Sequence, residues 1–261
     1  MCYYGIMSSC RGGGRFGNKV IRALAMTQFA EKFDLQMNYQ DKEQIEKLGV
    51  ELFVGKQKYN SCRRLNYKNF SDYFAKKTID FNVTTQGAYL QIKQISDSTH
   101  SYIMSDKIMS KIIKHNRHAG RYNNNNDCFV HLRLGDKAAA NPGFKYYDSV
   151  ISNLKFDNLY VASDSLNHDI IQQLKIKYPD LKIYNSAELT DIMLFGSTCK
   201  YVVLSYGTFS AIIGYLAFFS VVYCLHFCEK NSFDWGSPNK PDMFTDKYSK
   251  VSKWIEGNKT L

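Results

Sequence analysis

Beyond residue 127 the chain alternates short apolar runs with amphipathic stretches. Cys128–Leu132 reads as a strand, Tyr146–Leu154 as a helix, Leu159–Ala162 as a strand ending at Ser163-Asp164, and Asp169–Tyr178 as a helix. Leu181–Tyr184, Asp191–Cys199 and Tyr201–Leu204 continue as strand, helix and strand. Such alternation implies a parallel sheet with helices on both faces. A similar rhythm opens the chain: a strand over Tyr3–Ser9, a glycine loop, then a helix over Lys19–Phe33. In that helix Val20, Ala23, Leu24, Met26, Thr27, Phe29, Ala30 and Phe33 form a broad apolar face. Leu35–Tyr39 follows as a second strand.

The middle is less periodic. Asp41–Leu48, Tyr67–Lys77 and Tyr102–His118 read as helices. Gly120–Asp127, with four consecutive asparagines, reads as an exposed linker. The expectation is therefore an α/β protein of two Rossmann-like lobes, residues 1–122 and 123–261.

Tyr201–Cys228 holds no Asp, Glu, Lys or Arg and is long enough to span a bilayer. The polar turn Ser205-Tyr206-Gly207-Thr208 divides it, so a strand, a helix over Phe209–Phe219 and a strand over Val221–Leu225 are expected instead.

Lys and Arg number 34 against 24 Asp and Glu, a formal net charge of +10. That field attracts phosphates of any kind, but no helical stripe or nucleic-acid motif organises it. Seven cysteines without close CxxC pairs argue against a disulfide framework or a zinc site, and suit a reducing compartment. No signal peptide is evident.

Three constellations carry candidate chemistry. Gly12-Gly13-Gly14-Arg15-Phe16-Gly17-Asn18 fits a GxGxxG loop, in which bare backbone amides approach a pyrophosphate at a helix N-terminus. A dinucleotide enzyme would need an acid at the end of the second strand, for which Asp41 is a loose match. His131-Leu132-Arg133-Leu134-Gly135-Asp136 places His131 and Arg133 on one face of a strand end. There a guanidinium can clamp phosphate oxygens; the alternative is a core histidine and an Arg133–Asp136 ion pair. Ser205-Tyr206-Gly207-Thr208-Phe209-Ser210 offers hydroxyls and amides to a phosphate or ribose, or simply a helix cap at Thr208 or Ser210. Ser163-Asp164 reads either as part of the ligand crevice or as a turn, and Asp191 as a site residue or an N-cap. No GxSxG elbow, HExxH or DxD pair points to a hydrolase triad or a catalytic metal.

In their order these blocks resemble the alpha-1,2-fucosyltransferase family and its fucosyltransferase relatives. Gly12–Lys19 is similar to the family's glycine loop, His131–Asp136 to its HVRRGD-type block, and Asp191–Ser210 to its later Asp- and Ser-rich block. Tyr160–Ser165 is similar to its strand ending in Ser/Thr-Asp-Asp. The resemblance implies a GT-B fold and inverting, metal-independent transfer of L-fucose from GDP-fucose to a glycan hydroxyl, without a cofactor. It implies donor contacts from Gly13, Gly14, Phe16, Gly17 and Asn18, and from His131, Arg133, Ser163, Asp164 and Asp191. Ser205, Tyr206, Gly207, Thr208, Phe209 and Ser210 complete that set. Arg133 would hold the β-phosphate, and Asp136 is the candidate base. Leu134 stands where the family has a second arginine, Lys19 replaces a glutamine, and Tyr206-Gly207-Thr208 replaces a more Asn/Ser-rich turn. Another donor, such as UDP-xylose or GDP-rhamnose, therefore remains open. So do two other classes, a nicotinamide oxidoreductase and a basic nucleic-acid-binding protein. A cytoplasmic bacterial or viral enzyme is the simplest setting, with nucleotide sugar and glycan rather than nucleic acid as partners.

Overall fold

A computed structural model describes residues 7–136, 138, 141–226 and 250–253. Cys2, Cys228 and the start of the strand expected at Tyr3 lie outside the described residues. Contacts divide the chain into two compact units, meeting at Ile112 and Ile113.

The first unit contains β1 (Ser8–Cys10), α1 (Phe16–Phe33), β2 (Met37–Tyr39), α2 (Lys42–Glu46), β3 (Cys62–Arg64), α3 (Phe70–Phe74), β4 (Asn82–Thr84) and α4 (Lys93–Ile103). α5 (Asp106–His115) carries the chain across the division. The strands form a parallel sheet in the order β2-β1-β4-β3. α1 buries Val20, Ala23, Leu24, Met26, Phe29 and Ala30 completely, as its apolar face predicts, and ends where Asp34 turns left-handed at φ 51°. The helix expected over Tyr102–His118 is broken. Ser105 Oγ donates to the Tyr102 carbonyl at 2.7 Å, while Ile108 and Met109 restart the ladder from the Ser105 carbonyl.

The second unit contains β5 (Cys128–Leu132), α6 (Phe144–Ile151), β6 (Leu159–Ser163), α7 (Asp169–Lys177), β7 (Lys182–Ile183) and α8 (Leu189–Gly196). It continues with β8 (Tyr201–Leu204), α9 (Thr208–Leu216), β9 (Val221–His226) and β10 (Lys250–Lys253). All six strands are parallel, in the order β10-β9-β8-β5-β6-β7. Helix α6 packs on α7 and α8 on α9, flanking the sheet. Val130, Leu132, Val161, Val203, Tyr147 and Ile171 form the centre of the core.

Residues 201–226 form β8, α9 and β9, and among the described residues no helix is long and apolar enough to cross a membrane. The asparagine run is not a loose tether. Asn125 donates to the Arg121 and Thr198 carbonyls and accepts from the Asp127 and Lys200 amides, tying the entry of β5 to the end of α8. Cys10, Cys128, Cys199 and Cys224 are buried free thiols, and burial raises Cys10 to about 11.

Candidate functional site

In the second unit the chain leaves β5 toward β6 and β7, then returns to β8 on the other side. Strand order therefore reverses between β5 and β8, and the crevice beyond their C-terminal ends is where such sheets bind ligands. His131 and Arg133 reach that edge from β5, and residues 205–210 reach it from β8 and α9.

The two segments are tied together. His131 Nδ1 lies 2.6 Å from Ser210 Oγ, and Ser210 Oγ lies 3.1 Å from Ser205 Oγ. Ser205 Oγ accepts from the Arg133 amide at 3.1 Å, and the Ser205 amide donates to the His131 carbonyl at 3.0 Å. Phe209 stacks on the imidazole with ring centroids 4.9 Å apart. Burial lowers the His131 pKa to about 4, with the Arg133 charge adding and Asp164 opposing, so the ring is neutral at neutral pH. The N-cap of α9 is Gly207, a glycine in place of the hydroxyl cap expected at Thr208 or Ser210. Thr208 is buried in the first turn, and Tyr206 is half-buried.

Arg133 is largely sunk in this edge, its side chain 13% exposed. Nη2 reaches the exposed Asp136 carboxylate at 3.0 and 3.3 Å, while Nε is buried without a hydrogen-bond partner among the described residues. The stem and Nη1 lie against Gly207, whose φ is +117°; a Cβ there would approach Cδ and Nη1 to 3.4 Å. A residue without a side chain thus leaves room for the guanidinium.

Asp164 Oδ1 accepts from two successive amides, Leu134 at 2.7 Å and Gly135 at 2.9 Å. It anchors the loop that carries Arg133, and Gly135 is needed because a Cβ would sit 2.7 Å from Asp164 Oδ2. Ser163 Oγ accepts from the Ser165 amide at 3.1 Å, a local turn.

Asp191 belongs to a different cluster. It lies in the first turn of α8, whose N-cap is Glu188, so the N-cap reading of Asp191 does not hold. Its carboxylate pairs with Arg117, takes His118 Nε2 at 2.7 Å and accepts from the Tyr184 hydroxyl at 2.9 Å. Burial raises its pKa, but hydrogen bonds from His118, Tyr184 and Arg117 outweigh it and hold the group low. No described hydrogen bond or ion pair joins this cluster to His131 or Arg133. Arg117 and His118 were hidden in a basic stretch that reads as solvated surface; only the fold brings them to Asp191 of α8.

In the first unit the glycine loop follows β1 as expected. Gly14 has φ +100°, and a Cβ there would meet Asn18 Nδ2 at 2.6 Å. Asn18 Oδ1 accepts from Gln91 Nε2 at 2.9 Å. α1 begins at Phe16 with no side-chain cap and no acidic residue in its first turn. Phe16 and Gly17 are buried, so they serve packing, while Gly13 and Gly14 are exposed. Asp41 pairs with Lys19 at 3.0 Å. Sequence reading missed Arg22. This α1 residue is only 2% exposed and donates to the carbonyls of Gly12, Gly13 and Ala88. On the helix pattern it counts as a polar break in an apolar face.

Among the described residues no group of three or more His, Cys, Asp or Glu side chains is placed to hold a metal ion. No protein-family model and no curated protein sequence matches the chain. Among solved structures, NodZ alpha-1,6-fucosyltransferase co-crystallised with GDP matches with a TM-score of 0.52 and 11% identity, covering 82% of this chain and 92% of that one. NodZ soaked with GDP-fucose gives 0.50 and 11%, with 80% and 91% covered. An Arabidopsis thaliana FUT1 mutant with GDP gives 0.49 and 11%, with 85% and 70% covered. At this identity the likeness establishes a fold shared with a fucosyltransferase. It does not single out the alpha-1,2 family.

Proposed function

We propose that the protein is a fucosyltransferase-like glycosyltransferase that uses a GDP-sugar. The observation that carries this reading is Arg133, sunk against Gly207 at the β5/β8 reversal point, in a fold shared with an enzyme crystallised with GDP and GDP-fucose. The second unit is the donor-binding lobe and the first the acceptor-side lobe. L-Fucose is the leading donor sugar; GDP-rhamnose and UDP-xylose are the alternatives.

In this mechanism the acceptor hydroxyl attacks the anomeric carbon from the face opposite the diphosphate. The bond from that carbon to the β-phosphate oxygen breaks, its electron pair stays on the departing GDP, and the configuration inverts. Arg133 faces the growing charge as a fixed cation, which lowers the barrier without a metal. Neutral His131, braced by Ser210 and Phe209, offers Nε2 to the donor. Ser205 and the Gly207–Ser210 turn bind phosphate oxygens, Asp164 holds the Arg133 loop, and the Asp191 cluster serves the nucleoside side. Asp136 is the candidate base. A diphosphate seated on Arg133 competes with the Arg133–Asp136 pairing and frees that carboxylate to accept the hydroxyl proton.

The test is a melting-temperature screen against GDP, UDP and CDP, followed by turnover of the matching sugars, because a ligand that binds only the folded chain stabilises it. GDP stabilisation with release of GDP from GDP-fucose is expected. No response to any nucleoside diphosphate would sink the reading.

A further inference from the structure

We infer that the first unit carries a subsite for one acidic sugar residue of the acceptor, formed by Arg11, Asn38 and Gln40 at the ends of β1 and β2. That the ligand is the acceptor rests on the glycosyltransferase reading above.

Strand alternation builds the subsite. In the parallel register Ser9 pairs with Asn38 and Cys10 with Tyr39. Tyr39 turns to α1, where Thr27 Oγ1 donates to its hydroxyl at 3.1 Å. Asn38 therefore stands on the opposite face of the sheet. Arg11 and Gln40, two residues on from Ser9 and Asn38, follow on that face. Hydrogen bonds past the strand ends hold both backbones. The Gln40 amide donates to the Cys10 carbonyl at 2.9 Å. Thr85 Oγ1 accepts from the Arg11 amide and donates to the Arg11 carbonyl, each at 3.1 Å. Here the surface dips into a cavity of about 270 Å³, lined among the described residues by Cys10, Arg11, Asn38 and Gln40. Pockets for drug-sized ligands run to roughly 300–1,000 Å³, so this one suits a single sugar ring.

The polar groups at the cavity are spare. Arg11 and Asn38 are exposed, and no hydrogen bond or ion pair among the described residues engages either side chain. Gln40 Oε1 accepts from the Gly12 amide at 3.1 Å, which orients the carboxamide and leaves its Nε2 protons to a ligand. A planar guanidinium takes a carboxylate through two parallel N–H groups. Carboxamides both donate and accept, as sugar hydroxyls do. Neighbouring charges do not cancel Arg11. Of those acting on Cys10, Asp41 is paired with Lys19 at 3.0 Å, and Arg22 is a second cation. One carboxylate among hydroxyls, as in a uronic acid, fits this set. A phosphate dianion would find a single cation in the described lining.

The test is an NMR titration of the full chain with methyl β-D-glucuronide and with neutral methyl β-D-glucoside, following the side-chain amides of Asn38 and Gln40. The glucuronide should move both signals and bind about 10-fold tighter than the glucoside, the worth of one charge-assisted pair. Arg11→Ala should erase that preference with the fold intact, since Thr85 holds only the backbone of residue 11. Asn38→Ala should weaken both sugars alike. Equal binding of the two sugars, amides that stay still, or a preference that survives Arg11→Ala would overturn the subsite. Inorganic phosphate binding more tightly than the glucuronide would overturn its assignment to a carboxylate. Glucuronide binding without GDP-sugar turnover would overturn the proposed reaction and leave the acidic-sugar site standing. Turnover without glucuronide binding would overturn the site alone.

Discussion

His131 Nδ1 lies 2.6 Å from Ser210 Oγ, across 79 residues of chain, and this one contact locks the end of β5 to the first turn of α9. It also sets a pH dependence. Burial holds the His131 pKa near 4, below the ordinary value of 6.5, so between those values the unfolded chain binds a proton that the folded one refuses. Stability should be flat above about pH 6.5, fall as pH drops toward about 4, and level off below, at about 1.4 kcal/mol per pH unit in the steep range. Urea unfolding of the wild type and His131→Gln across this window checks it. The variant should be less stable overall but lack that acid slope; an unchanged slope would assign it to other groups.

Arg133→Ala should lower turnover about 10²–10³-fold, the loss typical of one preorganised electrostatic donor. Arg133→Lys should recover only part, because a point charge cannot replace the planar fork. Steady-state rates with GDP-fucose measure both; near-normal turnover in the alanine variant would remove Arg133 from the chemistry.

Gly14→Val and Gly207→Ala probe the two glycine positions. Both backbones have positive φ, where a side chain costs about 1 kcal/mol or more. Valine at 14 also strikes Asn18, and alanine at 207 crowds Arg133. We expect Gly14→Val to abolish GDP binding and Gly207→Ala to weaken it, read by calorimetry. Wild-type affinity in either would take that loop out of the site.

Asp164→Ala leaves the Leu134 and Gly135 amides without their acceptor and should cost about 1–3 kcal/mol if they stay dry. Loss of GDP-sugar turnover beyond the loss of stability is also expected, since the loop orients Arg133. Chemical denaturation paired with rate measurements separates the two effects, and a fully stable variant would show that water replaces the carboxylate.

Much of the second unit was readable in advance. Cys128–Leu132 and Tyr201–Leu204 form strands over the expected residues, because continuous β-branched and apolar runs suit a strand buried on both faces. The middle of the first unit was not. β4 is a central strand, yet its Asn82 and Thr84 are buried and paired with Ser8 and Ser9, so no hydrophobic alternation marks it. β3 is Cys62-Arg63-Arg64, an edge strand defined by its ladder with β4 rather than by its composition.

By itself the sequence determined which residue types are available near the strand ends: bare glycines after β1, an imidazole and a guanidinium at the end of β5, hydroxyls after β8. Those assignments are local, set by periodicity and by turn chemistry within a few residues. Tertiary structure decided what each group is free to do. Asp164 is consumed by two amides, Asp191 by Arg117, His118 and Tyr184, and Arg22 is turned from an apparent blemish on a helix into the anchor of a loop. Hydrogen-bond partners and burial come from chain segments tens of residues apart, so no local pattern encodes them.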